Sequence, residues 1–273
     1  MNNILRGIVA MDYTVPQPKS DLLPRFFTGL IAASATIFLI FQDPIYFKIL
    51  GVLITFGLLR EWSRLCFKQS YHWLNYICLL AVSAAFLPLL YIGSISIILA
   101  GCGWLYYLKL FSTKKFIIIS LGYIYISIAM GILIHIVPQI SGFPFILLML
   151  ALVWCVDTGA FLVGRVAGGP KLAPTISPKK TWSGFFGGIA FGFAGTYALI
   201  TLLNIDTHKF FWSFVSVSVF LSQAGDLLES WCKRYFNVKD TGSFLPGHGG
   251  LLDRLDSLLA VSFAAACFWF FCR

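Results

Sequence analysis

Four carboxylates in or at the edge of apolar runs gather in one stretch of the chain. Asp226, Glu229, Asp253 and Asp256 all fall within GDLLESWCKRYFNVKDTGSFLPGHGGLLDRLDS, residues 225–257. On a helix, Asp226, Ser230 and Lys233 share one face, with Arg234 beside them, and Asp253 and Asp256 share another. Gly242, Pro246, Gly247, Gly249 and Gly250 break the helix between the two groups. Three of these acids, Asp226, Asp253 and Asp256, suit a hard divalent cation that keeps positions open for phosphate oxygens. Lys233, Arg234, Lys239 and Arg254 can neutralise phosphate charge, and His248 can donate to a phosphate or leaving group. The N–H groups of Gly249 and Gly250, at the start of the following helix, are expected to be unpaired and to attract an anion. Reaction at phosphorus is mainly positioning and charge stabilisation, so this set suits phosphoryl or nucleotidyl transfer.

A second group lies upstream, in WCVDTGAFLVGRVAGGPKLAPTISPKKTWSGFFGG, residues 154–188. Ser177, Lys179, Lys180 and Thr181 precede an apolar run, and hydroxyls beside lysines at a helix start suit phosphate. Gly184, Gly187 and Gly188 form a small-residue face for close helix packing. Asp157 has two readings: a ligand for substrate or metal, or a partner for Arg165.

The elements that carry these residues are read from hydropathy. Of the 273 residues, 59% are hydrophobic and 11% charged, against about a quarter charged in a soluble domain. The mean hydropathy of +0.85 points to lipid as the solvent. Nine apolar runs are expected to span the bilayer, at about 26–42, 45–59, 73–91, 94–108, 116–137, 143–163, 183–203, 210–226 and 254–272. The second and fourth are short, which suits a tilted or re-entrant path. The runs are continuous rather than alternating, so the fold class is all-α and not a barrel. With a cytoplasmic N-terminus, all but Lys48, Lys209 and Arg273 of the 20 basic residues fall on the cytoplasmic side. The two long polar segments, 164–182 and 226–253, then face the cytoplasm together. A single membrane domain over 1–273 is expected, with N-terminal helices in 1–150 and catalytic helices and cytoplasmic loops in 151–273. An Asp at mid-bilayer costs about 3 kcal/mol, so acids kept at span edges signal a purpose.

The net charge of +9 does not argue for nucleic acid, because the basic residues sit in short loops between apolar runs. Lipid head groups or a phosphorylated substrate fit them better. The seven cysteines are odd in number and lack zinc-like spacing, so neither disulfides nor zinc are expected. The first 25 residues lack a continuous apolar region and do not read as a signal peptide.

The segment KRYFNVKDTGSFLPGHGGLLDRLDS resembles the signature of the phosphatidate cytidylyltransferases, and SPKKTWSGFFGG resembles their second shared block. Ser230, Lys233, Arg234, Lys239, Asp240, His248, Gly249, Gly250, Asp253, Arg254 and Asp256 fit that signature without gaps. The resemblance implies transfer of CMP from CTP to phosphatidate, giving CDP-diacylglycerol and pyrophosphate. It also implies Asp226, Asp253 and Asp256 as ligands of magnesium, with a second cation such as K+. Lys179, Lys180, Lys233 and Arg234 become phosphate-binding residues, and the protein a homodimer in the inner cell membrane. Ser230 and Asp240 enter as substrate-binding positions of the signature. Another lipid phosphate, such as a prenyl-glycerol one, or a CTP-dependent polyprenol kinase would use a related block. A transporter with coupling-ion acids predicts acids dispersed at mid-span and repeated halves. Here the acids cluster, and the sequence has no internal repeat.

Overall fold

The computed structural model describes residues 44–67, 113–140, 143–242 and 250–272. Pro44 opens α1 (Pro44–Phe67), consistent with the missing N–H of proline costing nothing in a first helical turn. Next come α2 (Thr113–Gly131), a π turn (Ile132–Ile136) and the short α3 (Val137–Ile140). The chain continues through α4 (Phe143–Ala167), strands β1 (Lys171–Ala173) and β2 (Ser177–Thr181), α5 (Trp182–Leu203), α6 (Phe211–Tyr235) and α7 (Leu252–Cys272).

Among the described residues, five stretches are long and apolar enough to cross a membrane: Ile117–Ile136, Phe145–Ala167, Trp182–Leu203, Phe211–Tyr235 and Leu252–Cys272. They correspond to the fifth to ninth expected spans. The expected second span, 45–59, is part of a longer helix that continues to Phe67. That helix carries Lys48, Arg60, Glu61 and Arg64 and is not among the five. The expected spans at 26–42, 73–91 and 94–108 lie outside the described residues.

The described residues are helical with one exception to the all-α expectation. Residues 171–181 form an antiparallel hairpin, with Lys171 opposite Thr181 and Ala173 opposite Ser177. Gly168 and Gly169 take left-handed φ values of 59° and 98°, which turns the chain out of α4 toward β1. Trp182 N–H then donates to Pro170 O at 3.1 Å, tying the hairpin back to the start of α5. Thr181 caps α5, its Oγ1 accepting from Gly184 N–H at 3.1 Å.

Small residues set how closely the helices pack. A Cβ on Gly184 would meet Ala160 O at 2.7 Å, so α4 and α5 touch backbone to backbone there. Two apolar clusters complete the packing. One joins Leu58, Leu59 and Trp62 of α1 to Ile119 and Ile126 of α2 and Leu259 of α7. The other joins α4, α6 and α7, where Phe145 stacks on Phe268 with ring centres 5.6 Å apart.

Candidate active site

α6 and α7 approach each other at Gly225, where a Cβ would stand 2.7 Å from both Asp256 O and Ala260 Cβ. Ser257 Oγ reinforces the crossing by donating to Ser222 O at 3.0 Å. Asp226, the residue after Gly225, is therefore held beside Asp256. Glu229, one turn further along α6, joins them. Ligand-capable atoms of Asp226, Glu229 and Asp256 all lie within 4.8 Å of one another.

Two lysines meet this group. Lys180, from β2, pairs with Asp226 at 2.6 Å. Lys233, on the next turn of α6, pairs with Glu229 at 2.7 Å and with Asp253 at 3.0 Å. The paired lysines before the seventh span and the acids of the eighth and ninth thus share one locus. Arg234 Nε donates to Ile176 O at 3.2 Å, binding the end of α6 to the hairpin turn. Gln223 Nε2 donates to Phe185 O at 3.1 Å, fixing α6 against α5.

Asp253 is not one of the three grouped acids but shares Lys233 with Glu229. Its Oδ1 accepts from Lys233, and its Oδ2 accepts from Gly250 N–H at 3.0 Å and Thr241 N–H at 3.3 Å. The expectation of an unpaired Gly250 N–H open to an anion is therefore corrected. The first turn of α7 is already filled by the chain's own carboxylates, which complement the positive end of a helix as an anion would. Leu251 and Leu252 N–H groups donate to Glu61 Oε1 and Oε2, each at 2.8 Å.

The other expected residues fall in two groups. Lys179, Lys180 and Thr181 line a cavity of about 540 Å³ together with Asp157, Arg165 and Asp226. No salt bridge joins Asp157 to Arg165, which instead lies over the Phe161 ring. Ser177 begins β2, and Ser230 is half-buried on α6. Lys239 and Asp240 are exposed beyond α6, and Arg254 is exposed on the first turn of α7; none of the three lines that cavity. His248 and Gly249 lie outside the described residues.

A second cavity, of about 350 Å³ among the described residues, is apolar. Trp62, Leu121, Tyr125, Leu228 and Trp231 line it, and Glu229 and Asp256 border it. The acid group thus lies between a space rich in charge and one rich in hydrocarbon.

The donor set fits a hard divalent cation. It offers only oxygens, and Glu229 Oε1 is buried with no hydrogen-bond partner among the described residues. Three carboxylates this close repel one another unless cations intervene. Two acids of this neighbourhood were not assigned roles from the sequence. Glu229 had a signal, since it stands three residues from Asp226 and four from Lys233. Glu61 had almost none.

A protein of Brucella suis biovar 1 named phosphatidate cytidylyltransferase is 34% identical to this chain over 265 residues, covering 92% of this chain and 93% of that protein. One of the same name from Brucella abortus biovar 1 is likewise 34% identical over the same shares. A phosphatidate cytidylyltransferase of Staphylococcus epidermidis is 42% identical over 154 residues, 55% of this chain and 57% of that protein. The profile of the cytidylyltransferase family matches residues 23–272, nearly the whole sequence, and the chain belongs to that family.

Proposed function

We propose that the protein transfers CMP from CTP to phosphatidate, yielding CDP-diacylglycerol and pyrophosphate. The observation that carries the reading is the seam of Asp226, Glu229 and Asp256 between a charged cavity and an apolar one. A triphosphate belongs on the side of Lys179, Lys180 and Thr181. The acyl chains and glycerol of a lipid belong on the side of Trp62, Tyr125 and Leu228. The two reacting phosphates then meet at the acids.

In the reaction, a phosphate oxygen of phosphatidate attacks the α-phosphorus of CTP. The bond from that phosphorus to the bridging oxygen breaks, and pyrophosphate leaves. No side chain needs to act as nucleophile, because the lipid supplies one. Lys180 and Lys179 neutralise phosphate charge, and Thr181, already holding the first turn of α5, keeps them in register. Lys233 is held by Glu229 and Asp253 and can turn toward phosphate; Arg234, Lys239 and Arg254 add positive charge around the site. Ser177, Ser230, Asp240, His248, Gly249 and Gly250 complete the proposed substrate-binding set, the last chiefly through the loop geometry it permits. Asp226 and Asp256, with Glu229 beside them and Asp253 adjacent, would hold magnesium, which supplies charge neutralisation at phosphorus when bound.

The proposed setting is an inner cell membrane crossed about nine times, with the N-terminus and the site facing the cytoplasm, where CTP is found. The distribution of basic residues supports that orientation. The resemblance of the signature supports a homodimer and a second cation such as K+. Purified protein given magnesium, CTP and phosphatidate should release pyrophosphate and form CDP-diacylglycerol. A folded sample that forms no product across a range of cations would falsify the reaction, and a product carrying CMP on a prenyl-glycerol phosphate instead would reassign the lipid.

A further inference from the structure

We propose that Glu61 is a positioning residue for the acid cluster, acting from α1 by setting the start of α7. The residue is only 2% exposed, yet it is a carboxylate buried beside Leu58, Leu59 and Trp62. Burial of a carboxylate is costly unless donors surround it. Here three do. Leu251 N–H and Leu252 N–H each donate at 2.8 Å, and Thr241 Oγ1 donates at 3.2 Å. These partners lie at least 180 residues away in the chain, so the contact is a tertiary anchor and not a local cap.

The anchor grips both sides of residues 243–249. Thr241 stands on one side and Leu251 and Leu252 on the other. The backbone is shaped to admit it: a Cβ on Gly242 would stand 2.7 Å from Glu61 Oε1, and one on Gly250 2.7 Å from Oε2. Asp253 then completes the same junction from within α7, accepting from Gly250 N–H and Thr241 N–H and holding Lys233. Lys233 in turn pairs with Glu229. Glu61 thereby fixes the height and rotation of the first turn of α7, on whose next turn Asp256 meets Asp226 and Glu229. Nothing in this chain of bonds brings Glu61 to the cluster itself; it acts through the helix.

The inference rests on the proposed reading of that cluster as a cation-binding site, and the experiment separates the two. The full-length protein and Glu61→Gln are purified, with Thr55→Val as a control on the same helix; the Thr55 hydroxyl donates to Gly51 O within α1. Glutamine keeps the size of the side chain but turns one acceptor into a donor facing N–H groups. Amide hydrogen exchange over 250–257 and Mn2+ affinity by electron paramagnetic resonance are measured without substrates.

Glu61→Gln should speed exchange at 250–257 by about tenfold or more and weaken Mn2+ binding by about 10–100-fold, the usual effect of losing a group that orients ligands from behind. Thr55→Val should do neither. Faster exchange with unchanged Mn2+ affinity would reduce Glu61 to an ordinary helix cap and overturn the proposal. Unchanged exchange would overturn the anchor itself, and a wild-type protein that binds no Mn2+ would overturn both the cation site and the role given to Glu61. Wild-type protein that binds Mn2+ in a Glu61-dependent way but forms no CDP-diacylglycerol would sink the reaction while leaving the positioning role in place. Should Glu61→Gln not fold, Thr241→Val removes one of the three bonds and is read by the same two measurements, with shifts of about threefold or more expected and no shift in Mn2+ affinity counting against the proposal.

Discussion

The two cavities beside the acid cluster differ in almost every physical respect. One is bordered by the hairpin and the ends of α4 and α5 and carries Lys171, Lys179, Lys180, Arg165 and Asp157. The other lies among α1, α2, α6 and α7 and is walled by aromatic and aliphatic side chains. Asp226 faces the first, and Glu229 and Asp256 border the second. The contrast shows how a chain built for lipid can handle a highly charged reactant. The hairpin side carries the lysines and Asp157, and Asp226, Glu229 and Asp256 stand at the seam. Hydrocarbon can approach that seam from the other side without burying any further charge, which would be costly.

The seam is the place to break the comparison first. Asp256→Asn keeps the shape and removes the charge, so turnover should fall by at least about 10²–10³-fold, the scale seen when one preorganised charge-stabilising group is lost. The unfolding midpoint in detergent should hardly move. Product formation within threefold of wild type would take the reaction away from the seam altogether. A smaller effect is expected from Lys180→Met, on the charged side alone. It removes the ion pair to Asp226 at 2.6 Å and should cut kcat/KM by about 30–100-fold, some 2–3 kcal/mol. Steady-state kinetics with each substrate varied should show the loss mainly in the KM for CTP. An equal rise in the KM for phosphatidate would mean that the two cavities do not divide the substrates.

Much of this was legible in the residues, and the exceptions have physical reasons. Long continuous apolar runs announce helices because lipid leaves the backbone no other partners, and α4, α5 and α7 lie within a few residues of the expected boundaries, while α6 starts where expected and runs on to Tyr235, nine residues past the expected end of its span. Asp226 and Asp256 could be brought together on paper because each sits at the polar edge of its run and a breaker-rich segment joins the two. The hairpin was missed: KLAPTISPKKT contains Pro174 and Pro178, which read as loop, and its pairing depends on the tie between Trp182 and Pro170. Asp253, expected as a third ligand with Asp226 and Asp256, also accepts the N–H of Gly250 at the N-terminus of α7, a capping contact that its spacing from Asp256 did not announce. Glu61 was invisible for a different reason. Between Arg60 and Arg64 it looks like an ordinary charge at a helix end, and its partners are distant in sequence, so only the fold reveals that it is buried.

The apolar side is sharpened by Leu228→Glu. Leu228 lines that cavity on α6 between Asp226 and Glu229. A carboxylate there should disfavour hydrocarbon and add a negative charge to a seam that already has several. Turnover of long-chain phosphatidate should drop by about tenfold, near 1.4 kcal/mol, while a short-chain phosphatidate should lose less and the KM for CTP should stay within about twofold. Equal losses for both chain lengths would point to a general disturbance of α6 and not to a lipid-facing wall.

The smallest effect tests whether remoteness is read correctly. Lys48 lies near the start of α1, and Glu61 lies thirteen residues further along the same helix. At 1.5 Å per residue the two are about 20 Å apart along the axis. Lys48 is also one of the three basic residues that the charge distribution leaves on the outer side. Lys48→Ala should therefore leave turnover within about twofold of wild type and both KM values unchanged. Only a route through α1 could make it matter, and that route would have to pass through Glu61, whose bonds to Leu251 and Leu252 depend on where the helix sits. A large loss of turnover at normal expression, accompanied by faster amide exchange at 250–257, would mean that α1 moves as a rigid lever. The same loss with exchange unchanged would mean that Lys48 is on the side of the membrane where CTP binds.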